Sequence, residues 1–243
     1  VYHMMPGLPG MTPETDVRDF KRLFQEQDFQ PDMLKLYPTL LVKGSPLARN
    51  PGDFVPYDTE TAAKVVADLK EIVPPYVRIQ RIQRDIPKPQ IIDGVMNSNL
   101  RQYARRELKK RGKKCKCINC RELWRAEIDP ATAELKEIKY KASEGNEYFI
   151  SYESGTKLLA YLRLRLDKNA TVRELKVTGQ AANIGKTGTG VQHMGLGAKL
   201  MKIAEEKSES YDKIRVTHGA GTRIYYEKLG YALEDFYMVK DLQ

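Results

Sequence analysis

Two glycines one residue apart constrain this chain more than any other feature. Gly195 and Gly197 stand in Gln192-His193-Met194-Gly195-Leu196-Gly197, at the start of an amphipathic run over residues 196–208. A diphosphate bound at a helix N-terminus needs several backbone N–H groups converging on it, and side chains there would block its approach. A tight loop entering a packed helix is the bland reading of the same spacing. The pattern is neither a dinucleotide fingerprint nor a P-loop, because no G-x-x-x-x-G-K-[ST] arrangement is present.

The surrounding rhythm places this motif inside a mixed sheet. Residues 147–152 and 157–166 read as two strands around the turn Ser154-Gly155-Thr156, and residues 170–177 as a third. After the predicted helix come a short strand at 213–217, a helix at 222–229 stopped by Gly230, and residues 231–240 completing the sheet. The first half differs. Thr12 and Pro13 open a helix that ends before Pro31, and residues 33–37 form a short strand. A helix from near Thr59 turns Ala63, Val66, Ala67, Leu69 and Ile72 to one face, and residues 76–82 alternate as a strand. Strand, helix, strand predicts a parallel α/β unit.

The chain has 243 residues, room for two ordinary domains, and a formal charge of +9. Residues 78–125 hold fifteen Lys or Arg against four acids, so the remainder is slightly acidic. A solvated helix and linker would share this composition, but such concentration favours contact with a polyanion. Residues 100–111 have high helix propensity. Arg101, Arg105, Arg106, Lys109 and Lys110 include pairs three or four residues apart, so a shared face is available. Lys113, Lys114 and Lys116 carry the charge onward. These side chains should track phosphates rather than read bases. Arg78, Arg81 and Arg84 are expected to approach substrate near the α/β unit, and Lys186 to meet either RNA or an acidic cofactor.

Cys115, Cys117 and Cys120 are the chain's three cysteines, too few for a disulfide framework and pointing to a reducing compartment. They offer three soft ligands within six residues, where Zn²⁺ takes four. His3 is the preferred fourth ligand; His193 belongs with the glycine motif, and His218 reads as a packed or hydrogen-bonding side chain. A plain RNA-facing loop is the competing account of the cysteines. No apolar run approaches the roughly 20 residues that cross a membrane. The opening residues, VYHMMPGLPGM, read as the interior of a domain rather than a leader.

The order hairpin, strand, glycine loop, helix, strand, helix, terminal strands resembles the GNAT acetyltransferase family, whose Q/R-x-x-G-x-G/A motif binds the acetyl-CoA pyrophosphate. The resemblance implies that Gln192, Gly195 and Gly197 hold the motif positions, with His193, Met194 and Leu196 completing the loop. It also implies that Tyr225 or Tyr226 stands near the thioester, one of the two facing away into the core. Five further blocks extend the similarity over essentially the whole chain. They are Met5-Pro6-Gly7-Leu8-Pro9-Gly10, Lys35-Leu36-Tyr37-Pro38, the run from Arg78 to Pro87, Cys117-Ile118-Asn119-Cys120-Arg121-Glu122, and the run from Gly221 to Tyr231. With them the chain is similar to the Elongator catalytic-subunit family in its archaeal and bacterial stand-alone forms.

That resemblance implies an α/β architecture: a partial radical-SAM-like barrel remnant over residues 1–98, a basic helix and Cys-rich linker over 99–125, and a GNAT-like mixed α/β domain over 126–243. It implies placement of a carboxymethyl-type group on C5 of the tRNA wobble uridine, with acetyl-CoA as carbon source. Zinc belongs to the cysteine region in archaeal and bacterial relatives, and histone acetylation has been attributed to eukaryotic members. One departure matters. A radical S-adenosylmethionine enzyme holds its [4Fe–4S] cluster with Cys-x3-Cys-x2-Cys, a spacing these cysteines lack. The chain is therefore expected to bind tRNA and acetyl-CoA without cluster or S-adenosylmethionine chemistry. The same resemblance points to a cytoplasmic setting, Elongator-like accessory subunits and no membrane. A lysine N-acetyltransferase and a zinc-stabilised RNA-binding scaffold are the alternatives.

Overall fold

The computed structural model describes residues 1–123, 132–179 and 195–242. It divides into two units, Val1–Cys120 and Arg121–Gln243.

In the first unit the order is β1 (Tyr2–Met4), α1 (Pro13–Gln25), β2 (Met33–Leu36), β3 (Leu41–Val42), α2 (Pro46–Arg49), α3 (Thr59–Ile72), β4 (Arg78–Ile82), β5 (Ile91–Asp93) and α4 (Leu100–Lys110). Strands β1, β2 and β4 lie side by side, all parallel, while β3 and β5 form a separate antiparallel pair. The two parallel connections pass through α1 and α3, as parallel crossovers require. Helix α1 begins as its sequence predicts. Thr12 accepts from the Thr15 N–H and Thr15 Oγ1 accepts from the Thr12 N–H at 2.8 Å, a reciprocal cap ahead of Pro13. Helix α3 buries more than one stripe, from Ala62 to Lys70 with few gaps, because α1 and α4 both pack against it. Helix α4 inserts Leu100, Ala104 and Leu108, spaced four apart, and so joins the first unit; most of its cations stand on the other faces. No closed barrel forms among the described residues.

The exit from β1 is fixed by a buried carboxylate. Asp16 Oδ2 accepts from the Gly7 N–H at 2.8 Å and from the Tyr57 hydroxyl at 2.9 Å. Gly7 has a φ of +74°, and a Cβ placed there would lie 2.8 Å from the Tyr57 ring.

Helix α5 (Ile118–Arg121) leads into the second unit. There β6 (Glu134–Ala142), β7 (Gly145–Ser154), β8 (Lys157–Leu166) and β9 (Ala170–Val177) form an antiparallel meander. Then come α6 (Leu196–Lys207), β10 (Lys213–Thr217), α7 (Arg223–Glu227), β11 (Ala232–Glu234) and β12 (Tyr237–Asp241). The seven strands run in the order β11-β12-β10-β9-β8-β7-β6, and β9–β10 is the parallel pair. Strand β6 is absent from the sequence reading because its residues are mostly charged and exposed. The final segment is a hairpin rather than one strand, turning at Asp235 with a φ of +50°. The last helix is shorter than its pattern, since residues 220–222 form a 3-10 turn.

Helix α6 covers one sheet face, packing Leu196, Leu200, Met201 and Ala204 among Ile150, Leu162, Leu164, Val172, Ile214 and Val216. The alternate residues of β7, β8 and β9 carry charges in pairs. Glu147, 2% exposed, is held by Arg165 at 2.9 Å and Arg173 at 2.8 Å. Arg163, equally buried, binds Glu174 at 2.9 Å and lies over the Phe149 ring. Buried charges persist only when paired in this way.

Gly7 and Gly10 offer a controlled comparison, since Gly10 has a φ of +82° but only open space within 4 Å of where a Cβ would sit. Gly10→Ala should cost about 1 kcal/mol for the left-handed backbone alone. Gly7→Ala should cost a further ~1–3 kcal/mol from the clash with Tyr57. Urea denaturation midpoints measure both, and equal losses would contradict the ring contact.

Candidate functional site

The N-terminus of α6 is built for close approach. Gly195 is its cap, in the left-handed conformation at φ 65°, and among the described residues no side chain caps the first-turn N–H groups. Those groups carry the positive end of a twelve-residue helix. Gly197 lies one residue into the helix and is buried. A Cβ there would meet the Tyr225 hydroxyl at 2.7 Å and Val177 Cγ2 at 3.6 Å, so α6, α7 and the end of β9 converge on this glycine. Gln192, His193, Met194 and Lys186 lie outside the described residues.

The sheet opens at the same place. Strands β9 and β10 pair only from Ala170↔Ile214 to Val172↔Val216. Strand β9 continues to Val177, still paired with β8. Residues 174–177 therefore have no strand partner on the β10 side among the described residues. A register shift opposite Arg163/Leu164 leaves Arg173 as an extra residue, a bulge that bends the strand where its neighbour departs. Buried Thr178 ties down the end of β9, its N–H donating to the Leu159 carbonyl at 2.8 Å. The Thr178 hydroxyl reaches the Leu158 carbonyl at 2.7 Å and that of Leu159 at 3.0 Å.

The paired tyrosines separate cleanly. Tyr225 is 39% exposed with its hydroxyl at Gly197, while Tyr226 is 5% exposed and packs edge-on to Tyr231 in the core. Burial pushes the Tyr225 phenol above its ordinary range, so it is protonated at neutral pH. Burial, then the neighbouring Tyr225, pushes Tyr226 up to about 12.

In the first unit the three cysteine sulfurs gather within 4.8 Å of one another. His3 is not with them: it lies on β1, edge-on to Tyr37 at 5.5 Å, and no histidine joins the sulfur group among the described residues. Instead Lys70, 2% exposed, places its ammonium 3.5 Å from Cys120 Sγ. Burial works against the Lys70 charge, but the facing cysteines outweigh it and hold its pKa up. Hydrogen bonds from Cys115 and Cys117, then Lys70, pull Cys120 well down, while Cys115 is pushed up by its bonds to the other two. Lys70 escaped the sequence reading because it lies within the apolar run of α3; a lysine on a buried stripe was its one signal.

The basic residues divide by environment. Arg105, Arg106 and Lys109 stand exposed on α4, and Lys113, Lys114 and Lys116 on the loop after it. Arg101 is half-buried and donates to the Ile79 and Gln80 carbonyls, so it serves the fold as well. Lys110 pairs with Glu107 and Arg81 with Asp85, both at the surface. Arg78 is half-buried on β4, and Arg84 is exposed beyond it.

Residues 31–110 match the Radical_SAM C-terminal domain family. The second unit, with its parted strands and glycine-opened helix, resembles the GNAT fold, so the chain joins a radical-SAM remnant to an acetyltransferase-like domain. Its relatives narrow the class. It is 41% identical to the tRNA uridine(34) acetyltransferase of Methanocaldococcus infernus, across 99% of this chain and 50% of that protein. Elongator complex protein 3 of Homo sapiens is 38% identical across 100% of this chain and 49% of its own length. A solved structure of the archaeal Methanocaldococcus infernus Elp3 with an N-terminal deletion gives a TM-score of 0.90 at 40% identity, over 99% of this chain and 62% of that one. The chain belongs to this family of tRNA uridine(34) acetyltransferases and Elongator proteins, and spans about half the length of the curated relatives it matches.

The meeting of Gly197 with Tyr225 is testable by a double-mutant cycle. Tyr225→Phe removes the oxygen that a new methyl would strike. The stability change caused by Gly197→Ala should therefore be about 1 kcal/mol more favourable in the Tyr225→Phe background than in the wild type. Strict additivity of the two urea midpoints would rule the contact out.

Proposed function

We propose that this chain provides the acetyl-donor and tRNA-holding parts of an enzyme that places a carboxymethyl-type group on C5 of the tRNA wobble uridine. The reading rests above all on the Tyr225 hydroxyl standing over the glycine-opened N-terminus of α6, in a chain whose relatives carry the name tRNA uridine(34) acetyltransferase. Gly195 leaves open space at the helix terminus and Gly197 lets the Tyr225 hydroxyl stand against its first turn, an arrangement that fits a donor with a diphosphate and a thioester. Acetyl-CoA supplies an activated acetyl carbon when bound. The first-turn N–H groups of α6 after Gly195, with the Gln192 loop, would hold its diphosphate. The edge of β9 over residues 174–177, without a strand partner on the β10 side among the described residues, offers backbone N–H and C=O groups to an extended amide-bearing arm. Tyr225, its phenol pushed above its ordinary range by burial, would stand where a proton could be held for the donor's sulfur.

The exposed cations of α4 and the following loop would bind tRNA phosphates, with Arg84 nearer the sheet. Cys115, Cys117 and Cys120 fit Zn²⁺ as three thiolate donors, with Lys70 offsetting their charge and the fourth ligand coming from elsewhere than His3. Such a zinc would be structural. Three unpaired cysteines suit a cytoplasmic setting, and no helix among the described residues is long and apolar enough to cross a membrane. Accessory subunits of the Elongator kind are the remaining partners proposed.

Titrating acetyl-CoA with and without tRNA tests the reading. Bound tRNA should stimulate thioester hydrolysis. Gly195→Val should abolish acetyl-CoA binding and leave tRNA affinity nearly intact. Replacing Arg105, Arg106 and Lys109 with Gln should flatten the salt dependence of tRNA binding, by roughly 0.9 in log–log slope for each phosphate no longer neutralised. Absence of salt-sensitive tRNA binding would overturn the proposal. Acetyl transfer to peptide lysine without any tRNA effect would favour an N-acetyltransferase, and bound metal without acetyl-CoA affinity a scaffold.

A further inference from the structure

The buried residues of α3 run from Ala62 to Lys70, and all but the last are apolar. Lys70 is 2% exposed. A buried ammonium persists only with a partner that offsets its desolvation. Among the described residues that partner is no carboxylate: Lys70 Nζ donates to Cys120 Sγ at 3.5 Å. A lysine that packing alone does not require, aimed at a sulfur, points to a task at the cysteines.

Cys120 is the cysteine that most needs holding. Cys117 is buried and Cys115 half-buried, whereas Cys120 is exposed. The loop backbone is pinned, with the Ile118 N–H donating to the Val77 carbonyl at 2.9 Å and the Cys120 N–H to the Cys117 carbonyl at 3.0 Å. Those bonds leave the Cys120 side chain its choice of rotamer. A donor rooted in the core favours the one that faces the other two sulfurs, all three lying within 4.8 Å of one another. Charge gives the second argument. Cysteine binds metal as thiolate, and three thiolates with one ammonium leave two negative charges, which one divalent cation cancels. The chain has no fourth cysteine, and a carboxylate in its place would restore a net negative charge beside apolar α3.

We propose that Lys70 is a positioning residue for the metal proposed at these cysteines: its ammonium turns the Cys120 sulfur inward and balances one thiolate, so the site takes a divalent cation with a neutral fourth ligand. This rests on the metal reading above and gives a second-sphere donor the part that a protein ligand alone would not fill.

Titration of the full chain with Co²⁺ tests it, because cobalt–thiolate bonds give charge-transfer absorption whose energy follows the electron density on sulfur. Wild type is compared with Lys70→Met, close to lysine in shape, and Lys70→Arg, which keeps a cation and its donors; circular dichroism of the metal-free chains reports folding. Lys70→Met should bind Co²⁺, and Zn²⁺ in competition with it, about tenfold or more weakly, and its charge-transfer band should move to longer wavelength. Lys70→Arg should return the band and most of the affinity. A Lys70→Met chain with band and affinity unchanged would overturn the inference. So would weaker binding with the band unmoved, the mark of packing alone, or a Lys70→Arg chain that behaves as Lys70→Met. A wild type without any charge-transfer band would instead bring down the metal reading, and this one with it, leaving the tRNA and acetyl-CoA readings standing.

Discussion

The second unit depends on two parallel strands that part company. Among the described residues strand β9 shares only three residue pairs with β10 and has no further partner on that side, bent by the Arg173 bulge and tied down by Thr178. Had β10 continued alongside, its backbone would have consumed the N–H and C=O groups of residues 174–177. Because β10 ends at Thr217, the chain is free to turn through residues 220–222 and deliver α7. That turn brings the Tyr225 hydroxyl over Gly197, where a Cβ would also come within 3.6 Å of Val177 at the tip of β9. The opening, the helix terminus and the phenol are thus consequences of one interrupted ladder.

Much of this was legible in the sequence where local chemistry decides structure. Thr12-Pro13 signals the start of α1, the Ser154-Gly155-Thr156 turn sets the β7–β8 hairpin, and Gly230 follows the last helix with a φ of +86°. The choice between Tyr225 and Tyr226 was not legible. Adjacent residues on a helix differ by about 100° in direction, and only the position of α6 decides which direction is the cleft. Nor could spacing reveal that His3 stands apart from the sulfurs or that Lys70 meets them. Those facts depend on how α3 and β1 are arranged around one core. Strand β6 was hidden for another reason: its pairing with β7 supplies the order that its own charged residues do not advertise.

The charged interior of the second unit also has a structural role. Glu147 on β7 is gripped from β8 by Arg165 and from β9 by Arg173. A slip of one residue in any of the three strands would turn a charge toward α6 and leave its partner buried alone, at a cost of several kcal/mol. These pairs therefore define register more sharply than apolar contacts of equal area.

Strand β6 is one rim of that sheet. Along it Glu134, Lys136, Glu137, Lys139 and Lys141 crowd nine residues, with Lys207 of α6 binding Glu137 at 2.7 Å. A foreign strand seeking to add itself there must lay its side chains among ammonium and carboxylate groups that hold their water strongly. The same charges that hide β6 from a search for apolar alternation guard the protein against edge-to-edge aggregation.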